Sequence, residues 1–385
     1  MVKIPSISLL VVAAASNLNA QSGRKIQADP SPTPVVIQDA VGYSESKPQR
    51  QRPASSLPSK DGFSSPKADA AAPQINPENG EPILKVDTDL ITIPVSVFDR
   101  NGLYISNLGR SDFKIFEDGK EQQIAYFGTT DKLFTVVLLL DTSPSTNYKI
   151  DEIRSAAIAF VDQLKANDQV MVIEFDGNVH VLTEATGDRV RIYKAINKAD
   201  FGSGTSLYDA VDFSLRKRLR KVAGRKAIVL FTDGVDTTSH KAGYYTTLSI
   251  AEEADALIFP IYFNTFEYNR QEGAFPYPGG RILNPIGTRL EDYLLGKKYL
   301  DELADYTGGR VFIPESTPGG LTAAFEGIAE ELRRQYNIGY IPAETGTPGQ
   351  RKLIKVRINR PNLVLRARDS YVVGATKKSV SLQSN

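Results

Sequence analysis

The stretch "FTVVLLLD", residues 134–141, is apolar almost without a break up to its closing aspartate. A strand with one wet face alternates polar and apolar residues; a strand that does not alternate must be covered on both faces. That requirement leaves few architectures, chief among them a mostly parallel sheet with helices on either side. "QVMVIEF", "KAIVLFTDG", "DALIFPIYF" and "GRVFI" have the same grammar. "VHVLT", across a turn at Asp176-Gly177-Asn178, adds an antiparallel neighbour. Between the strands, Ile150, Ile153, Ala157, Phe160, Val161 and Leu164 recur at helical spacing, as do Leu207, Val211, Leu215, Leu219 and Val222. The pattern predicts a Rossmann-like α/β domain over residues 131–335.

The segments on either side follow a different rule. In "LITIPVSVFDRNG", Ile91, Ile93, Val95 and Val97 alternate with Thr92, Pro94 and Ser96, a half-buried strand that Pro94 places at or near an edge. Asn101-Gly102 and Asp118-Gly119 are hairpin-type turns. Alternation returns at Ile354, Val356 and Ile358, followed by "RPNLVLRARDSYVV". Residues 82–130 and 336–375 are each too short for a comfortable core. They are expected to pair into one small β-sandwich-like domain, with the α/β domain inserted between its halves.

The N-terminus reads as an export signal over residues 1–20: Lys3, an apolar run from Ile4 to Ala15, and Ala20 as the small residue at the cut. The apolar run is short of the roughly 20 residues needed to span a bilayer, so the mature chain is expected without a membrane span, secreted or periplasmic. Residues 21–81, rich in Pro, Ser, Ala and Gln, read as a disordered spacer, and 376–385 as a disordered tail. The absence of cysteine from all 385 residues excludes disulfides, thiolate zinc sites, cysteine nucleophiles and a lipoprotein anchor. With 46 basic against 45 acidic residues, no bulk attraction to nucleic acid is implied.

Ligands of open α/β sheets bind beyond the carboxyl ends of the strands. Three loops leaving that edge are oxygen-rich: "DTSPST" with Asp141, Ser143 and Ser145, "GSGTSLYDA" with Thr205, and "FTDGVDTTS" with Asp233. Taken singly, each has a plain explanation as a helix cap or a turn. Together they assemble two carboxylates and three hydroxyls on one rim, a hard-oxygen set suited to Mg2+ or Mn2+.

These five positions resemble the metal-ion-dependent adhesion site of the von Willebrand factor type A family: Asp-x-Ser-x-Ser, a threonine ahead of a helix, and an aspartate in a strand-end Thr-Asp-Gly. Pro144 departs from the family, which often has glycine there. The flanks "SDFKIFEDGKEQQIAYF" and "YNIGYIP" through "YVV" look like the related proteins common in acidobacteria. The resemblance implies serines and threonine bound directly to the cation, aspartates acting through water, and an open position that an Asp or Glu carboxylate of a protein partner completes. It implies a binding or adhesion module that is not an enzyme, and a last helix, "LTAAFEGIAEELRRQ", whose shift could reach the sandwich. The alternatives are a metal-assisted hydrolase, with Asp236 or His240 as base, and a structural envelope protein with an idle metal site.

Three other features stand out. The insertion at 263–287 carries Phe266, Tyr268, Phe275 and Tyr277, which suit either a partner-selecting surface or a self-packed cover. "LRKRLRKVAGRK", 215–226, reads as the solvated face of an amphipathic helix, not a nucleic-acid patch. His180 falls on an edge strand and His240 in a loop.

Overall fold

The computed structural model describes residues 42–46, 90–129, 133–266, 287, 289–315, 317 and 319–374. The stretch read as an export signal, most of that read as a spacer, residues 267–286 of the insertion and the stretch 376–385 lie outside them.

The central sheet is built on β6 (Phe134–Asp141), whose eight residues are all buried. Parallel neighbours flank it, β7 (Gln169–Phe175) on one side and β9 (Arg225–Thr232) on the other. β10 (Leu257–Tyr262) continues beyond β9, and antiparallel β8 (Val179–Thr186) closes the far edge. The order is therefore β10-β9-β6-β7-β8. Both faces are covered, as the unbroken apolar pattern requires. Val136, Leu138 and Leu140 face α1 (Ile150–Gln163), α2 (Arg189–Lys198) and α6 (Gly320–Arg333). Val137 and Leu139 face α3 (Leu207–Asp212), α4 (Tyr244–Glu253) and α5 (Leu290–Thr307). Each such side chain contributes roughly 1.5–3 kcal/mol by leaving water.

Two expectations change here. "GRVFI" is not a strand of its own: Phe312 makes a single parallel bridge to Ile261, and Ile313 is 63% exposed. Its backbone is tied to β10 by Phe312 N to Pro260 O (2.8 Å) and Tyr262 N to Phe312 O (2.8 Å), and the ladder stops there. The helix from Leu207 widens after Asp212 into a π-wound turn (Phe213–Arg218) and a 3-10 turn (Leu219–Lys221). Its basic residues do form an outer face, with Arg216 beside Asp212 (3.2 Å) and Arg218 beside Glu184 (2.9 Å).

The flanking β segments make two facing sheets. One runs β13 (Val364–Arg366), β2 (Ile91–Phe98), β11 (Tyr336–Tyr340), β5 (Ile124–Thr129). The other runs β1 (Ser44–Glu45), β12 (Arg351–Ile358), β3 (Phe113–Glu117), β4 (Lys120–Gln122), with β14 (Ser370–Val372) also on β12. Ile93, Val95, Val97, Ile115, Ile338 and Val356 meet between them. The α/β domain is thus inserted within a sandwich built from both ends of the described chain. Asp118 and Gly119, at φ +47° and +83°, form the tight turn joining β3 to β4. Pro94 lies beyond the stretch of β2 paired with β13 (Ser96–Phe98), so a ladder runs on only one flank there.

Within the stretch read as a disordered spacer, residues 42–46 are an exception. Ser44 and Glu45 pair antiparallel with Ile358 and Arg357. Ser44 Oγ donates to Arg360 O (2.6 Å), and the Arg357 guanidinium grips Glu45 (2.8 Å from Nε) while lying over the Tyr43 ring. Prolines are absent from 35–47, so nothing blocks a ladder there.

Candidate metal centre at the sheet rim

β6 sits at the turning point of the sheet: the chain leaves it towards β7 on one side and returns to β9 on the other. The loops after β6 and β9 therefore part in opposite directions and leave a crevice at their strand ends, the usual ligand position in such sheets. Asp141 is the last residue of β6, and Asp233 follows the last residue of β9.

Both carboxyls are buried, Asp141 at 0% and Asp233 at 1% exposure. Ser145 Oγ donates to Asp233 Oδ2 (2.8 Å), and Ser143 Oγ lies 3.1 Å from Ser145 Oγ. Ser143 N donates to Asp141 Oδ1 (3.0 Å). Four of the five predicted residues thus form one connected cluster. The Ser145 hydroxyl is thus spent on Asp233, while that of its neighbour Thr146 lies 2.9 Å from the carbonyl oxygens of both Asp141 and Ser143 and fastens the loop.

Thr205 is buried on the same rim and is joined to it through the backbone. Its N–H donates to Thr237 Oγ1 (2.9 Å), and its carbonyl accepts from the N–H groups of Thr237 (2.9 Å) and Thr238 (3.1 Å). Gly202 N, in the same loop, donates to Thr142 O (3.2 Å). Among the described residues no hydrogen bond joins the Thr205 side chain to the other four. Ser206, which follows, spends its hydroxyl on Asp176 O (2.8 Å) and does not cap α3.

Two residues were missed by sequence reasoning. Thr232 Oγ1 donates to Asp141 Oδ2 (2.6 Å), and Thr265 Oγ1 donates to Asp233 Oδ2 (2.7 Å) and lies 3.2 Å from Tyr293 OH. Thr265 lies just past β10, and a hydroxyl at a third strand end was the available signal.

Burial, then the neighbouring Asp233, pushes the Asp141 carboxyl up to about 7. Burial likewise raises that of Asp233, against the hydrogen bonds from Thr265 and Ser145. Among the described residues, no Lys, Arg or His makes an ion pair with either. No three His, Asp or Glu side chains converge among those residues as a carboxylate-rich site would require; the donor set is two carboxylates diluted by hydroxyls. Two anions taken out of water with no cation beside them is a costly arrangement. A hard divalent ion is the group whose charge and oxygen preference fit it.

The alternative bases are placed elsewhere. Asp236 Oδ2 accepts from Tyr208 N (3.0 Å) and Ser239 Oγ (2.5 Å), which fastens the loop to the start of α3. His240 and His180 are exposed; His180 Nε2 is 3.6 Å from Asp176. Phe266 packs against Tyr293 with ring centroids 5.3 Å apart. Tyr268, Phe275 and Tyr277 fall outside the described residues.

Residues 136–235, from the middle of β6 to the loop after β9, match the family model described as the von Willebrand factor type A domain. This is a von Willebrand A fold. No curated protein matches the chain. Among solved structures it is similar to BatB from Bacteroides thetaiotaomicron, at 19% identity over 52% of this chain and 98% of that one, with TM-score 0.38. A von Willebrand factor type A protein from Catenulispora acidiphila gives 14% identity over 68% and 74%, TM-score 0.41. A mussel byssus proximal thread matrix protein, described with a zinc-occupied MIDAS motif, gives 13% over 56% and 49%, TM-score 0.39. Among the described residues, no helix is long and apolar enough to cross a membrane.

Proposed function

We propose that the A-domain rim binds one divalent cation, Mg2+ or Mn2+, and through it a carboxylate of a protein partner. The module would act outside the cytoplasm, secreted or periplasmic. Ser143, Ser145 and Thr205 would hold the cation directly, and Asp141 and Asp233 would act through water. The cation supplies an electron-poor open position that an Asp or Glu side chain can fill. The chain's own part is to keep that position open. Neutral hydroxyls leave the ion's charge largely uncompensated, while Thr232 and Thr265 hold the two carboxylates in place from behind.

The reading is carried by one observation, the hydrogen-bonded run Ser143–Ser145–Asp233 that gathers two loops and two buried carboxyls into one cluster. A pull-down from envelope and culture fractions, with Mg2+ or with EDTA and with wild type or Asp141→Ala, tests it. A partner should be retained only by wild type with Mg2+. Equal retention in every lane would refute binding through the cation.

A further inference from the structure

At the opposite end of the sheet from the rim, roughly 23 Å away along β6, a cavity of about 380 Å³ opens between the amino ends of β6, β9 and β10 and the back of the sandwich. Its sandwich wall is the outer face of β2 and β11, where Thr92, Pro94 and Asn337 point away from the sandwich core. Leu90, Leu257 and Ile341 supply apolar surface, and Ile341 is 44% exposed. The volume falls in the range of small-molecule sites, and an apolar lining with a few convergent polar groups is their usual character.

Two arginines give the cavity its polarity. Arg368 is 8% exposed, and its Nη2 donates to the carbonyls of Glu252 (2.7 Å) and Ala254 (3.1 Å). Its Nε is buried with no hydrogen-bond partner. Arg225 lies 3.7 Å above the Phe134 ring and donates from Nη2 to Gln335 Oε1, while its Nη1 is likewise buried with no partner. Lys226 and Asp255 also line the cavity, 3.9 Å apart. Three cations therefore face one carboxylate. A buried, unmatched guanidinium N–H costs free energy until an acceptor reaches it, and both arginines line the same cavity.

We propose that this cavity binds a small amphipathic acid, its carboxylate taken by Arg225 and Arg368 and its apolar body lying against Leu90, Pro94, Leu257 and Ile341. Planar guanidinium groups suit a carboxylate head, and the apolar wall excludes a fully hydrated anion as the preferred guest. Burial lowers the proton affinity of both arginines, that of Arg225 to about 9, and outweighs the opposing pull of Asp168 on Arg225 and of Asp255, Glu252 and Asp369 on Arg368. The site is independent of the cation at the rim.

Titration calorimetry of the full chain with decanoate, in EDTA, should show one site. Decan-1-ol and decyltrimethylammonium should each bind at least about tenfold more weakly, the scale of a charge-assisted hydrogen bond. Thr92→Trp, which fills the cavity and leaves both arginines, should abolish binding, and Arg225→Lys should weaken it about tenfold. Absence of decanoate binding, equal binding of the alcohol, or undiminished binding by Thr92→Trp would overturn the assignment.

Discussion

Gly296, in the interior of α5, offers a test in which two effects of opposite sign can be weighed. Replacing a helical glycine with alanine ordinarily stabilises by about 1 kcal/mol. Here the added Cβ would stand 2.4 Å from the carbonyl oxygen of Gly234, 2.5 Å from its carbon and 3.1 Å from its Cα. Ordinary contact needs about 1 Å more. The obstacle is backbone, held by Gly234 N donating to Thr232 Oγ1 (3.0 Å) and Val235 N to Asp233 Oδ1 (3.1 Å), with Gly234 itself at φ +83°. Overpacking of this kind costs roughly 1–3 kcal/mol and exceeds the propensity gain at all but its lower limit. Gly296→Ala is expected to lose up to about 2 kcal/mol net, a fall of up to roughly 8 °C in Tm for a domain of this size. The displaced segment carries Asp233, so Mg2+ affinity should fall with it. Calorimetric melting and Mg2+ titration of the same preparation measure both. A Gly296→Ala protein that melts higher than wild type, with undiminished Mg2+ binding, would refute the reasoning.

Three further outcomes follow from the geometry. Thr232→Val and Thr265→Val each remove a hydrogen bond that holds a site carboxylate and should weaken Mg2+ binding roughly 10–100-fold, read by calorimetry; affinities within a factor of two of wild type would contradict their supporting role. In EDTA, the raised Asp141 carboxyl favours the folded state at acid pH, and that contribution is lost as pH rises from its unfolded value near 4 through about 7. The Tm of Asp141→Asn minus that of wild type should therefore grow from pH 5 to pH 8, and a constant difference would contradict it. Glu252, on α4 and 1% exposed, accepts from Arg351 Nε (2.7 Å) on β12 and from Ser370 Oγ (2.6 Å) on β14, clamping the A domain to the sandwich. Arg351→Ala should cost about 3 kcal/mol, the lower end for breaking a buried pair, since the arginine is partly exposed; chemical denaturation showing a loss below 0.5 kcal/mol would exclude the clamp.

What the sequence made legible was what burial imposes on residue type. An unalternating strand such as "FTVVLLLD" must lie between two helical layers, and the period-2 runs at Ile91–Val97 and Ile354–Ile358 must present one face to a core. Failures came where partner geometry decides. "GRVFI" has strand composition, but only Phe312 reaches a neighbour, so no ladder extends along it. β1 has two residues, too few for any period, and depends on Arg357 and Arg360 arriving from more than 300 residues away. α2 went unnoticed because Ile192, Ala195 and Ile196 are its only buried positions. At the rim, the loop motif pointed to Asp141, Ser143, Ser145 and Asp233, which share one hydrogen-bonded cluster, and to Thr205, which is joined to it only through the backbone of its loop. Thr232 and Thr265 were not legible, because a hydroxyl behind a carboxylate has no spacing rule until the strands are side by side.

Titration of Mn2+ into wild-type protein and Ser143→Ala, followed by electron paramagnetic resonance of the free ion, tests the central claim most directly. The rim as described predicts one bound Mn2+ per chain in wild type, displaced by Mg2+ and lost or greatly weakened in Ser143→Ala. A wild-type protein that leaves all the Mn2+ free in solution, or a Ser143→Ala protein that binds it equally well, would contradict it.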